Sequence, residues 1–224
     1  MLNEQLRKLF EEWKEHPSNA DGIFIPDGLV EESQWNKAPL KLMVLLKEAN
    51  SKDTGWTYQD FIRDKGYEKE SATWPNLIRW TYGLLHRFPS YEEVSNNYYS
   101  IKEQASSFFK NIYFANIKKT AGESVADDKM IDQYAIETAP LLIEQIRILK
   151  PQVVLCCGDV VFQSVKKAFR HHTIEFEKGS SPGGLEYIWW GVNRTRIVRY
   201  YNPNAYFPRE MTYTYLMNEM RGLL

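Results

Sequence analysis

The stretch Lys41–Asn50, KLMVLLKEAN, decides how the chain is read. Apolar or aliphatic-stemmed residues run unbroken to Leu46, as suits a strand buried on both faces of a parallel sheet. Lys47-Glu48-Ala49-Asn50 then brings charge to its C-terminal end. In open α/β sheets that end is where ligands bind. A carboxylate at Glu48 could orient a water or balance a cationic transition state; the plainer alternative is a solvated turn residue paired with Lys47 or Lys52.

Working outward, residues 2–16 place Leu6, Leu9, Phe10 and Trp13 at helical spacing, a stripe that packs on a sheet. The loop that follows carries Asp21-Gly22 and Asp27-Gly28, read as turn signals. After the anchor strand, SKDTGWTYQDFIRDKG is a polar loop holding Trp56, Tyr58 and Phe61, which either cap the sheet or offer a base-stacking surface. Trp74-Pro75 starts a helix with Leu77, Trp80, Leu84 and Leu85 on one face. A second amphipathic helix is expected through Tyr91–Phe109, then a strand in NIYFANI (111–117) with Asn116 near its end. Asp127–Leu149 reads as one long helix, followed by the strand and glycine VVLCCG (153–158) and a helix from about Asp159 to Arg170. Short strands are expected at Thr173–Glu177, Tyr187–Gly191 and Thr195–Tyr201, with a closing helix from about Pro208 to Leu223. Strands alternating with helices call for a three-layer α/β/α sandwich around a mainly parallel central sheet, in a single domain of 224 residues whose first 39 form a helix and loop laid on that sheet.

Composition narrows the chemistry. Lys plus Arg number 28 against 29 acidic residues, so any nucleic-acid footprint must be a local basic patch. The two cysteines, Cys156 and Cys157, are adjacent in an apolar run and read as reduced core thiols. No signal-like h-region and no window of eighteen apolar residues occur, which leads to the expectation of a cytoplasmic protein without a membrane partner. His171-His172 are expected to face apart with no third ligand at useful spacing. Gly158 alone is no dinucleotide fingerprint. Neither a cofactor nor a metal is expected.

Three strand ends fall in chain order: Glu48 after VLL, Asn116 after YFA, and Asn202-Pro203-Asn204 after IVRYY. With the segment PLLIEQIRILKPQVVLCCG between the second and third, residues 40–220 resemble the uracil-DNA glycosylase superfamily. The family's first motif commonly reads Gly-Glu-Ala-Pro-Gly; here Lys47-Glu48-Ala49-Asn50-Ser51 keeps Glu-Ala and loses the glycines and the proline, a Lys-Glu-x-Asn form similar to that of a divergent bacterial branch. Asn116 and Lys118 match the central strand ending in Asn followed by a basic residue. The family's His-Pro-Ser stands here as Asn202-Pro203-Asn204. Two adjacent cysteines cannot build the iron–sulfur cluster of some branches.

The resemblance implies a DNA-repair hydrolase that flips a base out of single-stranded or damaged DNA and cleaves its N-glycosidic bond. Glu48 and Asn202 would be catalytic, Asn202 donating an N–H to the base anion in place of the family's imidazole. Asn116 would read the base edge, with Trp56 the first choice for stacking and Tyr58 and Phe61 behind it. Lys47, Asn50, Lys118, Pro203 and Asn204 complete the motifs and phosphate contacts. Lys119, Arg194, Arg196, Arg199 and Arg209 are further phosphate candidates, or plain surface charges. Two other readings stay open: a non-catalytic nucleic-acid or nucleotide-binding protein on the same fold, and a flavodoxin-like or nucleotide-sugar enzyme sharing the α/β pattern.

Overall fold

A computed structural model describes residues 1–20, 22–49, 55–68, 72–122 and 126–224. The anchor stretch forms the strand β2, Leu42–Leu46; the other strands are β1 (Gly28–Leu29), β3 (Ile112–Asn116), β4 (Val153–Cys157), β5 (Glu177–Ser180), β6 (Glu186–Trp190) and β7 (Thr195–Tyr200). They make one sheet in the order β1-β3-β2-β4-β7-β6-β5. The four central strands β3, β2, β4 and β7 run parallel, and β1, β6 and β5 add antiparallel edges. β2 is the second of those four, paired in register with β3 (Leu46 opposite Asn116) and with β4 (Leu45 opposite Cys156). That double pairing is why its sequence lacks a polar face.

Alternate β2 side chains enter two cores. Leu42 and Val44 pack with helices α4 (Thr73–Leu85) and α11 (Arg209–Leu223). Met43 and Leu45 pack with α1 (Leu2–Glu15), α8 (Asp128–Glu137), α9 (Ala139–Leu149) and α10 (Asp159–His171). The result is the expected three-layer α/β/α sandwich, with both cysteines buried and free in β4. Burial raises both thiols well above their ordinary range.

Several expected elements differ. The helix expected at Asp127–Leu149 breaks at Thr138, because Pro140 in the first turn of α9 has no N–H to continue the ladder. The helix expected through Tyr91–Phe109 is three short ones, α5 (Tyr91–Asn96), α6 (Tyr98–Glu103) and α7 (Ala105–Phe108), separated by turns at Asn97 and Gln104. The loop after β2 contains α3, Tyr58–Arg63, whose start is fixed by a Thr57–Asp60 capping box. α2, Glu32–Lys37, and β1 occupy a stretch read as loop. The strand expected at Thr173–Glu177 lies instead at Glu177–Ser180. Among the described residues no helix is long and apolar enough to cross a membrane.

One polar cluster sits inside this apolar frame. Asp27 and Lys119 form an ion pair with both side chains fully buried. Gln145 of α9 donates to Asp27 at 3.0 Å and to the Tyr113 hydroxyl at 2.8 Å. The Lys119 ammonium lies 4.3 Å from the Trp13 ring centroid. Asp27 is thus no exposed turn former, and Lys119 is no phosphate contact. Removing one charge strands the other without water, so Asp27→Ala or Lys119→Ala is expected to lose about 3–5 kcal/mol in urea denaturation. The double replacement Asp27→Leu with Lys119→Met should cost well under the sum, since no buried charge remains.

Candidate site at the C-terminal edge of the sheet

Four parallel strands deliver their C-terminal ends to one edge. β2 leads to helices on one face and β4 leads to α10 on the other, so the chain leaves these neighbours in opposite directions, the kind of switch point at which such sheets take ligands. Glu48 lies just beyond β2, Asn116 ends β3, Gly158 follows β4 and Asn202 follows β7.

Glu48 is held firmly. Its carboxylate meets the Lys118 ammonium at 2.6 Å, with only 8% of the acid side chain exposed. Lys118 also approaches the carbonyls of Thr120 at 3.4 Å and Ala121 at 3.5 Å. Gly122 donates to the Ala49 carbonyl at 2.8 Å, and a Cβ there would fall 2.0 Å from the Glu48 carboxyl carbon. The loops after β2 and β3 are therefore clasped around Glu48, and Gly122 leaves the space it fills. Lys47 turns to Asp128, 2.6 Å away.

Asn116 is 1% exposed, and its amide meets the Tyr58 hydroxyl at 3.2 Å through Nδ2 and 3.4 Å through Oδ1. Burial pushes the Tyr58 hydroxyl's pKa upward, so it stays protonated. Trp56 and Phe61 are half-buried beside it, with ring centroids 5.6 and 6.2 Å from Tyr58. Tyr58 is the buried member of this cluster, and Phe61 also packs against Trp74, with centroids 5.0 Å apart. The Asn116 backbone is bound on both sides: its N–H donates to Asp27 at 3.1 Å and its carbonyl accepts from Lys119.

On the far side, Asn202 is exposed and its Oδ1 accepts the Asn204 N–H at 2.9 Å, while Pro203 is buried with its carbonyl 2.7 Å from Asn76 Nδ2. Gly158 adopts φ +116°, a conformation reserved for glycine, and a Cβ there would lie 3.8 Å from the Asn202 Cβ. Three strand spacings separate the Asn116 and Asn202 ends, about 14 Å. The structure thus places the Glu48–Lys118 pair and the Asn116–Tyr58 cluster at the ends of the neighbouring strands β2 and β3, and sets Asn202 across β4 from them. Asn50 lies outside the described residues.

Other candidates move away. Arg194 and Arg196 lie at the start of β7, on the opposite edge of the sheet. Arg199 pairs with Asp159 at 2.7 Å and Glu186 at 3.2 Å. The His171 and His172 rings meet at 5.2 Å, because the chain there ends a helix rather than running extended. Among the described residues no group of three His, Cys, Asp or Glu is placed to hold a metal. Asp27 and Gly122 escaped the sequence reading, since an Asp-Gly pair and a lone loop glycine carry no sign of a partner far along the chain.

No family model matches the chain, and no curated protein matches it either. Two substitutions test the local geometry. Tyr58→Phe strips the buried Asn116 amide of its partner and should cost about 1–3 kcal/mol. Gly122→Ala should cost a similar amount, about 1–3 kcal/mol, by displacing the Glu48 carboxylate or its loop. Denaturant midpoints read both, and an unchanged midpoint in both variants would contradict the packing described.

Proposed function

We propose that this chain is a uracil-DNA glycosylase-like protein that receives a flipped base at the C-terminal edge of its sheet and hydrolyses the N-glycosidic bond. The observation that carries the reading is the clasp of the two loops after β2 and β3, in which Glu48 is locked to Lys118, with Asn116 and the Trp56–Tyr58–Phe61 cluster at the end of the neighbouring strand. Glycosidic cleavage needs a base held by its edge and face, a donor to the departing base anion, and negative charge or a positioned water beside the sugar cation. Asn116 and the aromatics supply the first. Asn202 supplies the second through Nδ2, since only its Oδ1 is engaged among the described residues. Glu48 supplies the third. Water adds to the sugar carbon as its bond to the base breaks, and solvent protonates the released base.

A second reading is favoured by one specific feature. Lys118 sits 2.6 Å from Glu48 and offsets the charge that a sugar cation would require. The same cleft could then bind a base without cleaving it.

Incubation with oligonucleotides carrying uracil, hypoxanthine or other lesions, followed by alkaline strand scission, separates the two. Cleavage by the wild type that falls on the order of a hundredfold in Glu48→Gln, with binding retained, is the expected outcome. Binding without scission would support the non-catalytic reading. Scission unaffected by Glu48→Gln would move the chemistry elsewhere.

A further inference from the structure

The Asn116 amide, which the proposed function sets against the edge of a base, already has an occupant. Its Nδ2 and Oδ1 lie 3.2 and 3.4 Å from the Tyr58 hydroxyl, and among the described residues this side chain makes no other hydrogen bond. Asn116 is 1% exposed and Tyr58 6%, so a base reaches the amide only when the phenol leaves it.

The phenol is a makeshift partner. One oxygen facing both atoms of an amide makes two long contacts, whereas N–H···O and O–H···O bonds settle at about 2.9 and 2.8 Å. A base edge with a carbonyl beside an N–H offers two atoms in one plane, and each can close to that distance on its own half of the amide. Exchanging the hydroxyl for such an edge gains hydrogen bonding. Exchanging it for an edge without a donor leaves a buried amide N–H or carbonyl unpaired, which is the costly outcome. With no base present, Tyr58 spares Asn116 that same cost.

Three hydrogen bonds tie the residues of α3 to the chain around β1: the Tyr58 N–H donates to the Pro26 carbonyl at 3.4 Å, Gln59 Nε2 to Leu29 at 3.1 Å and Arg63 to Val30 at 3.3 Å. None of them holds the phenol ring. The displaceable part is therefore the Tyr58 side chain, with α3 as its fixed base.

We infer that Tyr58 is a gate on the base-reading position, satisfying Asn116 while the site is empty and yielding to a base that offers a donor and an acceptor side by side. The gate rests on the function proposed above and narrows its substrate class to bases with such an edge, uracil and hypoxanthine among them, against analogues whose ring N–H is blocked. Because the closed form competes with the ligand, the gate lowers affinity in exchange for selectivity.

Equilibrium dialysis tests this with 1-methyluracil, whose methyl group stands where the sugar would be, and with 1,3-dimethyluracil, which also lacks the N3–H. The proteins are the wild type, Tyr58→Phe and Asn116→Leu. Tyr58→Phe is expected to bind 1-methyluracil about tenfold more tightly than the wild type, because the bond it loses stabilises only the closed form. Asn116→Leu should abolish that binding, and 1,3-dimethyluracil should bind none of the three. Should Tyr58→Phe fail to fold, the wild type carries the test by NMR: 1-methyluracil should shift the Asn116 side-chain amide protons and the Tyr58 ring protons, and 1,3-dimethyluracil should shift neither. Equal or weaker binding of 1-methyluracil by Tyr58→Phe, with Asn116→Leu still abolishing it, would overturn the gate and leave base reading by Asn116 standing. Binding indifferent to Asn116→Leu, or absent from both the wild type and Tyr58→Phe, would overturn the two together. A gain by Tyr58→Phe for both analogues alike would overturn the selectivity assigned to the gate.

Discussion

A fully buried ion pair between Asp27 and Lys119 fixes the end of the strand on which the candidate site depends. Burial raises the Asp27 carboxyl pKa and lowers that of the Lys119 ammonium, so each group resists its own charge and is kept charged by the other. Together they hold the Asn116 peptide by its N–H and its carbonyl, and through Gln145 and Trp13 they engage α9 and α1. The apolar layers give the sheet its stability. The polar pair decides where β3 stops and where the following lysine, Lys118, can reach Glu48.

That arrangement divides the labour of neighbouring residues. Lys118 and Lys119 are consecutive, yet one closes the site from above while the other is sealed beneath it, with side-chain exposures of 12% and 0%. The charges at this edge are therefore pre-paired, beside buried amides and aromatic rings.

Local pattern made much of the architecture legible. The apolar run at residues 41–46, the VVLCC strand and the apolar stripe of α1 each carry their own periodicity, and the layers follow from it. What pattern missed was set by distance or by a single atom. Asp27 and Lys119 are 92 residues apart, so one resembled a turn signal and the other a surface cation. Pro140 breaks a helix whose apolar spacing continues across it, and the Thr57–Asp60 box starts one inside a polar loop. Glu48, Asn116 and Asn202 were placed correctly at strand ends. Their hydrogen-bond partners Lys118, Tyr58 and Asn204 determine what each can offer.

The proposed function requires ligands to enter at the C-terminal edge of β3, β2, β4 and β7. A cleft of about 530 Å³ lies elsewhere, between α1 and the chain around β1, lined by Arg7, Phe10, Phe24 and Gly28 among others. Amide chemical-shift mapping on titration with a uracil-bearing single-stranded oligonucleotide distinguishes the two directly. Shifts centred on Asn116, Tyr58, Gly158 and Asn202, with the α1 cleft undisturbed, are the expected result. Shifts confined to Arg7, Phe10, Phe24 and Gly28, with the strand ends silent, would contradict it.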